Sequence, residues 1–150
     1  MIRETLYSRI FDYFAALTTG DAPLFKTATR VPTTWEQIPS EDTPALLMRQ
    51  RSEHQKHRQF MPPAYTLNID LLIYVHTLGA YDRTQIPAQI LNPLLDALDG
   101  ALAIDDPINN ACTLGGLVTW AAFNGTTQIH LGTVGDDTVA IVPIEVFSTK

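Results

Sequence analysis

The sequence predicts an α+β fold: a mostly antiparallel sheet with about two main helices packed on one face, plus a projecting loop or hairpin arm. Three observations predict it. Two segments, one at the start and one past the middle, repeat apolar residues at helical spacing. Residues 65–77 alternate as a strand does. The last third of the chain holds three short apolar runs joined by turn-forming connectors.

The opening segment carries Ile2, Leu6, Ile10, Phe14 and Leu17 at spacings of 4, 4, 4 and 3, one stripe of a helix. Tyr7, Phe11 and Tyr13 broaden it, and Thr18-Thr19-Gly20-Asp21 stops it, with Gly20 suited to the left-handed residue past the last turn. Residues 25–31 read as a short strand closed by Pro32. Residues 32–44 form a polar, proline-punctuated connection containing Trp35 and Ile38, kept on the surface by Glu36, Glu41 and Asp42. A strand resumes over 45–50. Between 51 and 63 no period is visible, so this stretch reads as a long loop or projecting hairpin arm.

The clearest strand is 65–77. Tyr65, Leu67, Ile69, Leu71, Ile73 and Val75 share its core face, whereas Thr66, Asn68, Asp70, Leu72, Tyr74 and His76 share the other. Leu72 and Tyr74 imply that something partly covers this second face. Ile86, Ile90, Leu91, Leu94, Leu95, Leu98 and Leu102 form the second helical stripe. Pro93 within it predicts a kink, or a restart with Asn92 as cap. Strands follow at 117–123, 127–131 and 138–147, joined by Asn124-Gly125 and Gly135-Asp136-Asp137.

With 150 residues and 16.6 kDa, the chain is expected to be a single domain over 1–150. A chain of this size buries roughly 70% of its unfolded surface, enough for a core without disulfides or structural metal. The lone Cys112 has no internal partner, which fits a reducing compartment. Hydrophobic content of 45% with 17% charged residues excludes a disordered chain. No apolar run reaches the ~18 residues of a membrane span, and charges among the first twenty residues do not match a signal peptide. A net charge of −6 argues against duplex DNA as the primary partner.

The candidate sites are few. Glu53-His54-Gln55-Lys56-His57 places two His at i, i+3, but the helical zinc pattern needs i, i+4 with Glu between, on a helix this segment does not predict. Its charge says more. Arg49, Arg51, Lys56 and Arg58 are four of the ten basic residues, gathered within ten positions of an acidic chain. A solvated hairpin tip accounts for them, and so does a docking surface for an acidic partner or for phosphates. Asp105-Asp106 and Asp136-Asp137 offer oxygens to a hard cation, yet turn formation explains both pairs. No Gly-x-Ser-x-Gly elbow exists, Cys112 reads as a small apolar packer, and the glycines near 125–135 lack the Lys of a phosphate loop. No catalytic constellation and no cofactor follow.

The order of the parts resembles the tail terminator (tail completion) proteins of long-tailed bacteriophages. The pieces are an amphipathic N-terminal helix, a strand ending in Thr29-Arg30, a polar connection with Trp35, and Pro44-Ala45-Leu46-Leu47 leading into a basic arm. The strand 67–75, the helix Ile90-Leu91-Asn92-Pro93-Leu94-Leu95-Asp96-Ala97-Leu98, Thr113-Leu114-Gly115-Gly116-Leu117-Val118 and Val142-Pro143-Ile144-Glu145-Val146 follow. The resemblance covers about residues 3–147.

That resemblance implies a structural, non-catalytic role. Such a protein forms a sixfold ring that caps the head-proximal end of a finished tail tube and offers its other face to the head-connector or neck protein. The implied partners are therefore other copies of the chain, the tail tube protein and the connector. DNA passes through the lumen without specific binding, and no membrane is involved. The implied location is the host cytoplasm during assembly, then the head–tail junction of the virion. In such a ring, Arg49, Arg51, Lys56, Arg58, Leu72 and Tyr74 are the expected partner-interface residues. The alternatives are another head–tail joining protein, a stopper or adaptor, and a small phosphate- or nucleic-acid-binding α+β domain. A third, a hydrolase or metal-dependent enzyme, would draw on His54, His57 and the Asp pairs.

Overall fold

The computed structural model describes residues 3–76, 86–134 and 137–149, with the backbone alone at Trp35, at 131–134 and at Asp137. Expectations that involve Ile2, Thr77, the Gly135-Asp136 turn or the Trp35 side chain lie outside the described residues. Helix α1 spans Arg3–Ala15 and buries Leu6, Tyr7, Ile10 and Phe14, the predicted stripe. It ends before Gly20. That glycine instead turns a small hairpin between β1 (Thr18–Thr19) and β2 (Ala22–Pro23), at φ 61°, where a Cβ is disfavoured.

The predicted strand at 25–31 shortens to β3 (Thr27–Thr29), which pairs parallel with the start of β4 (Ala45–Arg58). Leu24 and Phe25 are buried in the core. Arg30 leaves the sheet to form a two-pronged bond with Glu4 of α1, at 2.5 and 3.2 Å.

The largest departure from expectation lies in residues 51–63. They are not a loop: β4 continues without a break to Arg58, turns at Gln59-Phe60, and returns as β5 (Met61–His76) in antiparallel register. The sequence hides this because beyond Gln50 almost every side chain of β4 is exposed, so no face is required to be apolar. Register shifts at 50/52 and 56/58 further erase the two-residue period.

Strand β5 is the axis of the sheet. It pairs with β4 on one side and β8 (Asp137–Ser148) on the other. Strands β6 (Trp120–Phe123) and β7 (Gln128–Val134) both pair with the far edge of β8, giving the order β3-β4-β5-β8-β6 with β7 beside β8. All pairings except β3–β4 are antiparallel.

Helix α2 (Pro87–Ala101) runs through Pro93 as one helix, so the predicted restart does not occur. Pro93 and Gln89, whose carbonyl would otherwise receive the missing N–H, are both exposed, so the freed acceptor lies on the solvent side of the helix. Leu91, Leu94 and Leu98 of α2 join Leu6, Ile10 and Phe14 of α1 over Leu67, Ile69, Leu71 and Ile73 in one buried cluster. Both helices thus lie on one face of a mostly antiparallel sheet, an α+β architecture. Tyr13 ties them directly, donating its hydroxyl to the Ala101 carbonyl at 2.9 Å.

A second, smaller cluster covers part of the opposite face. Ala45, Leu47, Leu72, Tyr74 and Val139 form it, with Ile38 of the 32–44 connection and Ile141 packed against them.

This packing sets a testable cost. Leu94→Ala should lower stability by about 2–5 kcal/mol in denaturant unfolding, because Leu94 is buried between α2 and the sheet. Leu94→Asp should abolish cooperative unfolding, since the charge has no partner there. A Leu94→Asp chain that melts like wild type would contradict the helix placement.

Candidate functional site

The basic segment forms the arm of the β4–β5 hairpin. Strand β8 ends opposite Tyr65, at Ser148, so the hairpin beyond that pair has no β8 beside it. Its base is braced by α1. Arg3 Nε donates to Glu53 Oε1 at 2.7 Å, its Nη2 to Gln55 at 3.3 Å, and its guanidinium stacks 5.6 Å from the Tyr65 ring. The Tyr7 hydroxyl donates to Glu53 at 3.4 Å, and burial, reinforced by the Glu53 charge, pushes its pKa up to about 12.

The six expected interface residues divide into two groups. Arg49 and Arg51 converge on Asp70, at 2.7 and 3.7 Å. Asp70 is 4% exposed, the single buried carboxylate among the described residues. Arg49 faces it in register, and the irregularity after Gln50 brings Arg51 to the same side. Two of the four cations are therefore partly neutralised at the base of the arm. Lys56 lies exposed further out, and Arg58 folds back over the turn, its Nη2 donating to the Pro62 carbonyl at 3.0 Å.

Leu72 and Tyr74 are not an open lateral surface. They are only 6% and 8% exposed, because the 32–44 connection closes over them, the Tyr74 hydroxyl reaching the Thr33 carbonyl at 3.5 Å. Together with Leu47, Arg30 and Arg49 they line a groove of about 500 Å³ between that connection and β4. The structure thus brings Arg49, Leu72 and Tyr74 to one groove and leaves Lys56 and Arg58 at the arm's end.

The two aspartates of Asp105-Asp106 are structural. Asp105 accepts the Gly115 amide at 2.9 Å, the Thr113 amide at 2.6 Å and the Thr113 hydroxyl at 2.9 Å. These amide bonds hold its carboxyl below the usual range. They also fix a loop in which Leu114, Gly115 and Gly116 all take positive φ. Asp106 accepts the Asn109 side chain at 2.7 Å and the amides of Asn109 and Ile108. Cys112 packs in the main core, where burial pushes its thiol up. His54 and His57 are exposed on β4, and no group of three or more potential metal ligands gathers among the described residues. No helix there is long and apolar enough to cross a membrane.

Sequence reasoning missed the residues that shape the arm. Asp70 was visible as an acid inside the most apolar strand, and Phe60-Met61 as an apolar pair inside a polar stretch. Phe60 is 97% exposed and Met61 56%. No protein-family model matches this chain, and no curated protein sequence matches it.

Two predictions follow from these carboxylates. Asp70→Asn should destabilise the chain by about 1.5–3 kcal/mol, because two guanidiniums then face each other without their shared anion; a ΔΔG near zero would show that the Arg–Asp contacts are idle. Asp105 has a folded pKa below its ordinary 3.8. Its contribution is complete above that value and is lost as pH falls through the lower folded pKa. Asp105→Asn should therefore lower the melting temperature at pH 7 and flatten the acid-induced loss of stability below about pH 4.

Proposed function

We propose that this chain is a tail terminator of a long-tailed bacteriophage, a structural protein whose ring caps the head-proximal end of the tail tube and presents a docking surface to the head connector. The observation that carries this reading is the arm. An α+β body, braced at the arm's base by Arg3 and Tyr7, extends a two-stranded hairpin ending in exposed Phe60 and Met61 flanked by Lys56 and Arg58. Such an extension contributes little to its own chain's core, and exposed apolar residues at its end suit burial against another subunit.

The order of elements adds support, since the helix, basic arm, central strand, second helix and closing strands follow the sequence that tail terminators show. A ring also needs two unlike lateral surfaces that meet head to tail. Here one sheet edge carries the arm and the other carries short β6 and β7 beside α2. The phosphate-binding alternative loses ground because Asp70 holds Arg49 and Arg51.

Native mass by light scattering over a concentration series, with negative-stain images of the same fractions, tests the proposal. The expected species is a ring near six times the 16.6 kDa chain mass. A chain that stays monomeric and also fails to bind one end of purified tail tubes would contradict it.

A further inference from the structure

Phe60 is the most exposed large apolar residue described, and its backbone is in the left-handed region at φ 61°. Glycine or asparagine takes that conformation cheaply, whereas a bulky aromatic does not. The two-residue turn between the paired Arg58 and Met61 thus carries a side chain costly both to its backbone and to its solvation. Among the described residues nothing covers it: Phe60 is 97% exposed.

At the opposite edge of the sheet lies an apolar groove of about 250 Å³ between α2 and strands β6 and β7. Leu98 and Val142 form its buried floor, and Phe123 and Ile129 its rim, 41% and 44% exposed. That volume is below the ~300–1,000 Å³ of small-molecule sites and suits a single aromatic side chain. Asp99 lines it, and Asp96 lies exposed three positions earlier on α2. The charge of both is opposite to that of Lys56 and Arg58. The larger groove, by contrast, is lined by Arg30 and Arg49 and by no acidic residue that could pair with a basic arm.

Resting on the ring reading above, we infer that Phe60 at the arm tip of one copy seats in the α2–β6–β7 groove of the next copy, with Lys56 facing the Asp99 end of α2. The arm cannot fill its own groove. Leu71, the register partner of Val142, lies ten residues along β5 from Met61, a distance of ~33 Å, and the two edges are separated by further strand spacings. A knob on one edge and a hole on the other make a heterologous contact that repeats head to tail. This contact assigns a role to the strained turn and to the exposed rim together.

Phe60→Gly tests it without threatening the fold, since it removes the positive-φ penalty. The variant should melt at or above the wild-type temperature while its self-association weakens ~30-fold or more, the loss expected of an aromatic anchor. Lys56→Glu should also weaken association, and adding Asp99→Lys to that variant should restore it. Phe60→Cys combined with Ile129→Cys should give a disulfide-linked ladder on oxidation, which neither single variant extends beyond a dimer. Rings formed by Phe60→Gly as readily as by wild type would overturn the contact and leave the ring reading standing. A wild-type chain that neither self-associates nor binds tubes would remove both.

Discussion

The double pairing of β5 is the constraint on which the rest of the structure depends. Its central residues 67–74 bond to β4 on one side and β8 on the other, and Leu67, Ile69, Leu71 and Ile73 are wholly buried. Each such side chain contributes about 1.5–3 kcal/mol when removed from water. Because side chains alternate strictly, this row fixes which face receives both helices, and a one-residue slip would send it to the other face. The same register places Asp70 opposite Arg49 and Leu72 and Tyr74 beneath the 32–44 connection.

The arm is the outward continuation of that register. Side-chain ties stiffen its base, up to the pair where β8 ends: Asn68 to Ser52 at 3.0 Å, Gln55 to Tyr65 at 3.3 Å, and Arg3 to Glu53; beyond Tyr65 the β4–β5 pairing carries the backbone. The outer edge of β4 past Leu47 has no β3 beside it. Lys56, the flanking arginines and the two register irregularities are the features that discourage indiscriminate strand pairing there. The arm's exposed apolar surface is concentrated at its tip instead, in Phe60 and Met61.

How much of this was legible in the sequence follows from burial. Both helices and β5 were readable because each has a continuous buried stripe, and the α+β arrangement followed from their order. The outer half of β4 was not, because a strand exposed on both faces leaves no hydrophobic period, and its basic residues looked like a loop. Pro93 suggested a break that its solvent-facing position makes unnecessary. Among the interface residues, the clustering of Arg49, Arg51, Lys56 and Arg58 was visible, but the sharing of Asp70 by two of them depends on cross-strand register. Leu72 and Tyr74 correctly signalled a covered second face, though not that the chain's own 32–44 connection covers it.

Hydrogen exchange, compared between monomeric and assembled fractions, tests the central claim most directly: a body organised by β5 holds out an arm that is completed only by another copy. Amides within 67–75 should exchange only through global opening in both fractions. Those of 56–61 should exchange rapidly in the monomer and slow at least tenfold on assembly. Equal exchange of 56–61 in the two fractions would contradict the account, because the arm tip would then be as exposed in the assembly as in the isolated chain.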